Sequence, residues 1–145
     1  MNKLKFRAWN TTTNTWYKPV FDASNGNLHE LMISFKGDLL AHTIEGIEHE
    51  SVFKDQYIIN QYIGYPDKNG KEIYEGDIIN ITNYSYNNSE GKREESIERQ
   101  TINDMRDYFQ YKGYSEIELC ELWDSENLEI IGNIYENPEL LITKT

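Results

Sequence analysis

Four residues in one short stretch have the chemistry of metal ligands: His42, Glu45, His49 and Glu50. Imidazole and carboxylate are ordinary zinc ligands, and they bind at short, fixed spacings. On a helix, Glu45 and His49 would share a face, with His42 one heptad below. The spacing matches no ligand pattern such as HExxH, however, and Gly46 weakens a helix here. The stretch therefore reads as a solvated polar loop, and neither a metal nor a cofactor is expected. Cys120 is the single cysteine. Its neighbours Glu118 and Glu121 would raise a thiol pKa and blunt it as a nucleophile, so it reads as a small half-buried hydrophobe. No Gly-x-Ser-x-Gly elbow and no P-loop is present. Asp67-Lys68-Asn69-Gly70 opens like a calcium loop, but the remaining ligands are missing. The chain has 25 acids. A carboxylate pair for acid–base work cannot be located among them, and most read as a solvated face. No catalytic residue is expected, and the chain reads as a non-enzyme.

Rings are the other resource. Trp9, Trp16, Tyr17, Tyr84 and Tyr86 could form a base-stacking platform of the kind small barrels use on nucleic acid. Phosphate binding needs a basic surface, and the net charge is −11, so core or interface duty fits these rings better. The charge is uneven. Lys3, Lys5, Arg7 and Lys18 fall in residues 1–20 without an acid, while 113–143 holds Glu116, Glu118, Glu121, Asp124, Glu126, Glu129, Glu136 and Glu139 without a Lys or Arg. Adjacent first and last strands would bring these two ends together and neutralise them. A lone cysteine allows no internal disulfide. No stretch approaches the roughly 20 apolar residues of a membrane span, and no signal peptide is evident. A reducing cytoplasm is the expected location.

The positioning elements are mostly strands. Leu4, Phe6 and Ala8 alternate with Lys3, Lys5 and Arg7, a half-buried first strand. Thr15 to Val20 can pair back on it, and Leu28 to Phe35 is a further strand. Residues 38–56 are too sparsely apolar to assign. The centre is Tyr57 to Thr82. There, Pro66-Asp67-Lys68-Asn69-Gly70 suits a type I turn closing on a left-handed residue. It predicts a three-stranded meander with strands near 57–63, 71–74 and 78–82. Asn83 to Gly91 reads as a loop. Residues 92–111, rich in Glu, Arg and Gln, predict an amphipathic helix. At about 100° per residue, Ile97, Ile102, Met105, Tyr108 and Phe109 fall within an arc of roughly 140°. That stripe is either cover for its own barrel or a self-association face. Residues 114–123 read as a second short helix. Leu128 to Tyr135 is the closing strand, with a bulge at Gly132. Asn137-Pro138 starts a helical turn.

Three blocks carry a resemblance. Asp67-Lys68-Asn69-Gly70-Lys71-Glu72-Ile73-Tyr74-Glu75-Gly76-Asp77-Ile78 resembles the signature segment of the YopX family of phage and prophage proteins. Lys5-Phe6-Arg7-Ala8-Trp9-Asn10 is similar to that family's N-terminal strand, and Ile131 to Leu141 to its C-terminal end. Residues 83–125 carry no recognisable block, and members of the family are expected to differ there. The resemblance implies an SH3-like β-barrel and higher oligomers, and its phage or prophage origin makes the cytoplasm expected above that of a bacterial host; it assigns no biochemical activity and carries no catalytic residue. The expectation is one domain over 1–145: a small, mainly β, SH3-like antiparallel barrel or roll, with a helical insertion at about 90–124. The expected function is that of a non-enzymatic accessory protein that binds a host or phage protein, as a homo-oligomer. Two alternatives are an acidic inhibitor of a host nucleic-acid-binding enzyme, using the 113–143 acids as decoy phosphates, and a nucleic-acid-binding barrel.

Overall fold

The computed structural model describes residues 4–22, 26–87, 91–102 and 127–141, and among them the side chains of 84–87 are left aside. The described chain is mainly β. One compact unit comprises Met1–Arg7 and Asn60–Thr145, the other Ala8–Ile59. Two strands, β1 (Phe6–Asn10) and β7 (Tyr57–Pro66), contribute residues to both.

In the Ala8–Ile59 unit, β2 (Thr15–Trp16) pairs with β1, setting Trp16 opposite Trp9. Asn10 makes the turn between them, its Oδ1 accepting the Thr12 and Thr13 N–H groups. Strands β3 (Val20–Asp22), β4 (Asn27–Ile33), β5 (Leu39–Thr43) and β6 (Gly46–His49) form an antiparallel sheet in that order. Residues 38–56 therefore resolve into a hairpin, β5–β6, and a 3-10 turn at Glu50–Val52. The hairpin forms because Ile44-Glu45 is a two-residue connection and Gly46, at φ 123°, accepts a backbone shape closed to other residues. Leu39 and Ala41 are buried, on the face shared with Leu31 and Ile33.

In the other unit, β8 (Glu72–Tyr74) pairs with β7, placing Tyr74 opposite Tyr62. The turn before β8 forms as expected. Gly70 N–H closes on Asp67 O at 3.0 Å, and Gly70 has φ 81°. The expected three-stranded meander does not form. β9 (Asp77–Asn87) leaves β8 and becomes the centre of a second sheet, ordered β10–β9–β11, with β10 at Lys92–Thr101 and β11 at Leu128–Asn133. The break is made by Asp77: its Oδ2 accepts the Tyr74 N–H at 2.9 Å, where continued pairing would use a backbone carbonyl. Ile73, Ile79, Ile81, Ile102 and Leu128 make the core, with Ile63 and Ile130 packed against it. Gly132 sits at a register shift of β11, the expected bulge, and Pro138–Leu141 is the expected single turn, here 3-10.

Three further expectations are corrected. The loop expected over 83–91 begins later, because β9 continues to Asn87. The helix expected from 92 is a strand as far as 101. β10 pairs residue for residue with β9, from Lys92 opposite Asn87 to Thr101 opposite Ile78, and this ladder satisfies the backbone that a helix would otherwise satisfy. Within 92–101 only Ile97 is a large apolar residue, so helical periodicity had almost nothing to act on there. The rest of that helix, and the short helix at 114–123, lie outside the described residues. Finally, the first and last strands are not neighbours: β1 lies between β2 and β7, whereas β11 pairs with β9.

Candidate functional site

The three resembling blocks meet through polar side chains. Arg7 on β1 sends Nη2 to Asp77 Oδ1 at 2.8 Å and to Glu75 O at 3.2 Å, and its Nε to Asn60 Oδ1 at 3.3 Å. Its guanidinium also lies 4.9 Å above the centre of the Tyr74 ring. Asn60, buried on β7, passes the network on, donating from Nδ2 to Tyr135 OH at 2.9 Å. Ile134 N–H closes on Gly76 O at 2.9 Å. At Gly76, at φ 88°, a Cβ would stand 3.3 Å from the Tyr135 ring and 3.4 Å from Asn60 Oδ1, so the turn is glycine for shape and for space. Burial pushes the Asp77 carboxyl above its usual range; the Tyr74 N–H and Arg7 oppose that shift without cancelling it.

Asp67 is the second buried carboxylate, 2 % exposed. Oδ1 accepts the N–H groups of Asn69 and Lys71, both at 2.9 Å, and Oδ2 accepts Ile130 N–H at 3.1 Å. Burial alone would raise its pKa. The donors from Ile130, Lys71 and Asn69, with the Lys71 charge, outweigh burial and hold it below the usual range. Both oxygens are thus engaged by backbone donors. At the chain's end, Asn133 Oδ1 accepts Tyr135 and Glu136 N–H, and Asn137 Oδ1 accepts Asn133 N–H. Among the described residues, every buried side-chain nitrogen and oxygen has a hydrogen-bond partner.

The charge pairs differ from the expected neutralisation of one end by the other. Lys5 pairs with Glu72 at 2.6 Å and Arg7 with Asp77, both acids of the central segment, and Glu129 pairs with Lys68. Of the acids in 113–143, Glu116, Glu118, Glu121, Asp124 and Glu126 lie outside the described residues, as do Cys120, Met105, Tyr108 and Phe109. Ile97 is 68 % exposed on a strand, while Ile102 is 5 % exposed in the core. These two members of the expected stripe therefore do not share a helical face.

In the Ala8–Ile59 unit, Trp9 is buried edge-on against Trp16, with centroids 5.0 Å apart. Tyr17 packs on His29 and Tyr57, and its hydroxyl donates to His29 O at 2.7 Å. Burial raises the phenols of Tyr17 and Tyr57. Trp9–Trp16 and Tyr17–Tyr57 thus meet edge to face, at 75° and 79°, so these four rings of the described residues pack on one another. The four candidate metal ligands divide. His42 faces Ile47 across the hairpin and Glu45 is in its turn. His49 and Glu50 come together with Asp38, a residue that spacing alone did not bring forward. Of the signature network, the motif blocks contain Arg7, Asp67, Asp77 and Tyr135. Asn60 lies outside them and carried no signal beyond being a polar residue within a β-branched strand.

Among the described residues, no helix is long and apolar enough to cross a membrane. The architecture defines a mainly β protein whose recognisable motif residues are spent on internal contacts. The YopX protein family model matches residues 5–142, so the chain belongs to the YopX family. It is also similar, at 25 % identity, to the crystal structure of protein EF1440 from Enterococcus faecalis. That match covers 98 % of this chain and 100 % of the other, with a TM-score of 0.47. No curated protein matches the chain.

Proposed function

We propose that this protein works by binding rather than by catalysis, as a phage- or prophage-derived accessory module of the bacterial cytoplasm, with SH3-like strand architecture, that assembles with copies of itself. The observation that carries this reading is the use of the signature's polar groups. Asp67, Asp77, Arg7 and Asn60 are committed to one another and to backbone groups, as scaffold residues are. Large apolar side chains stand at the surface instead: Phe21 is 63 % and Ile47 64 % exposed, on the same face of the β3–β6 sheet as Leu28 and Leu40. Glu30 and His42 share that face, and exposed apolar side chains interleaved with polar ones are what an interface between proteins uses. The five names of the expected stripe, Ile97, Ile102, Met105, Tyr108 and Phe109, reduce to Ile97 as a described surface candidate.

The test is the mass in solution by light scattering, at low and high salt. An apolar assembly keeps its mass as salt rises, and Phe21→Glu or Ile97→Glu lowers it while circular dichroism stays unchanged. A monomer at every concentration and salt would overturn self-association.

A further inference from the structure

We propose that Asp38, His49 and Glu50 form a binding site for a divalent first-row transition ion of the Zn2+ or Co2+ type. One ligand atom from each lies within 4.8 Å of the other two. The gap between His49 Nε2 and Asp38 Oδ2 is 3.8 Å, too long for a hydrogen bond. Ligand atoms held about 2.0–2.2 Å from a shared zinc stand roughly 3–3.5 Å apart, so a small closure of this corner seats the ion. One imidazole and two carboxylates form an N/O set suited to borderline ions, and two carboxylates balance a divalent charge.

The backbone around the site is already fixed. Asp38 N–H donates to Ser34 Oγ at 3.1 Å, and Ser34 N–H donates to Asp38 O at 2.9 Å. His49 ends β6, opposite Leu40. Its second ring nitrogen has a partner too. Nδ1 lies 3.0 Å from Ser51 Oγ and 3.2 Å from Ser51 N. Nδ1 here accepts the Ser51 N–H; an ion on Nε2 requires the proton on Nδ1, and the Ser51 hydroxyl is placed to accept it as an outer-shell partner. Loading the site thus exchanges the Ser51 N–H···Nδ1 contact for Nδ1–H···Oγ. Three protein ligands leave the remaining positions to water, since the Asp38 and His49 side chains are 44 % and 50 % exposed.

The test uses the full chain, stripped of metal, titrated with Zn2+ by calorimetry in excess Ca2+, which occupies diffuse acidic sites. Co2+ absorption reports nitrogen ligation. Circular dichroism checks that each variant folds. The proposal expects saturation at one ion per chain, binding lost in His49→Gln, about tenfold weaker in Ser51→Ala, and unchanged in His42→Gln. Equal binding by the parent chain and His49→Gln, loss in His42→Gln, or no saturable binding at all overturns it.

Discussion

Arg7 Nη2 donates to Asp77 Oδ1 at 2.8 Å, across 70 residues of sequence. Asp77 is nearly enclosed and Arg7 is only partly exposed, so neither charge can rely on water. Removing one partner of such a pair strands the other.

Arg7→Ala should therefore destabilise the fold by about 3 kcal/mol near neutral pH. The cost should shrink in acid. Burial raises Asp77 in the folded state, and loss of the arginine raises it further. A group whose folded pKa is raised lends stability at pH below its unfolded value, and that stability is lost as pH rises through the folded one. Protonated Asp77 no longer needs the cation. Urea denaturation of Arg7→Ala and the parent chain at pH 7 and pH 4.5 checks this. An equal difference at the two pH values would contradict it.

Asp67 has the opposite sign. Its folded pKa is lowered, so its contribution is present above the unfolded value and is lost as pH falls through the folded one. Asp67→Asn should cost about 1–3 kcal/mol at neutral pH, because the amide can accept from Asn69 and Lys71 but turns an N–H toward that of Ile130. It should also flatten the acid limb of the stability curve. Melting temperatures from pH 2 to pH 6 would show both effects.

These carboxylates also show how far the sequence could be read. The Asp67 turn was legible because proline, Asx and glycine act locally, within five residues. The bulge at Gly132 and the turn after Asn137 were legible for the same reason. Asp77 was not, because its charge is met by Arg7, 70 residues away in sequence. The Asp38–His49–Glu50 corner was hidden likewise: it exists only once the β5–β6 register sets His49 opposite Leu40. The strand β10 was misread because its hydrogen-bond partner, not its own composition, decides its backbone.

Gly132 gives a steric prediction free of any unusual backbone angle. A Cβ there would stand 2.5 Å from Asn137 Oδ1. Gly132→Ala should cost about 1–3 kcal/mol, typical of overpacking. Asn137→Ala clears the space but forfeits the bond to Asn133 N–H. The two changes together should cost less than the sum of the singles. A double-mutant cycle by chemical denaturation measures that coupling, and strict additivity would contradict the contact.

The Tyr17 hydroxyl sits 2.9 Å from His29 Nδ1 as well as bonding its carbonyl. Tyr17→Phe should cost about 1 kcal/mol, the net worth of a hydrogen bond. Burial raises the phenols of Tyr17 and Tyr57. In alkali the unfolded chain ionises first, and stability is lost as pH rises toward the folded values. Tyr17→Phe should weaken that alkaline loss, which thermal melts between pH 8 and pH 11 would detect.

Ile97 and Ile102 separate a strand from a helix most sharply. On a continuous helix they would lie about 140° apart and, as edges of one stripe, respond alike to substitution. Here Ile97 is at the surface of β10 and Ile102 is in the core with Ile73, Ile79, Ile81 and Leu128. Ile102→Ala should cost about 2–4 kcal/mol, as a core truncation does. Ile97→Ala should stay within about 0.5 kcal/mol in the monomer. If Ile97 contributes to self-association, its loss becomes visible as a concentration-dependent fall in melting temperature, because binding to the folded state adds stability by mass action. Ile102→Ala should instead lower the melting temperature at every concentration. Equal costs for the two substitutions in the monomer would contradict this difference in burial.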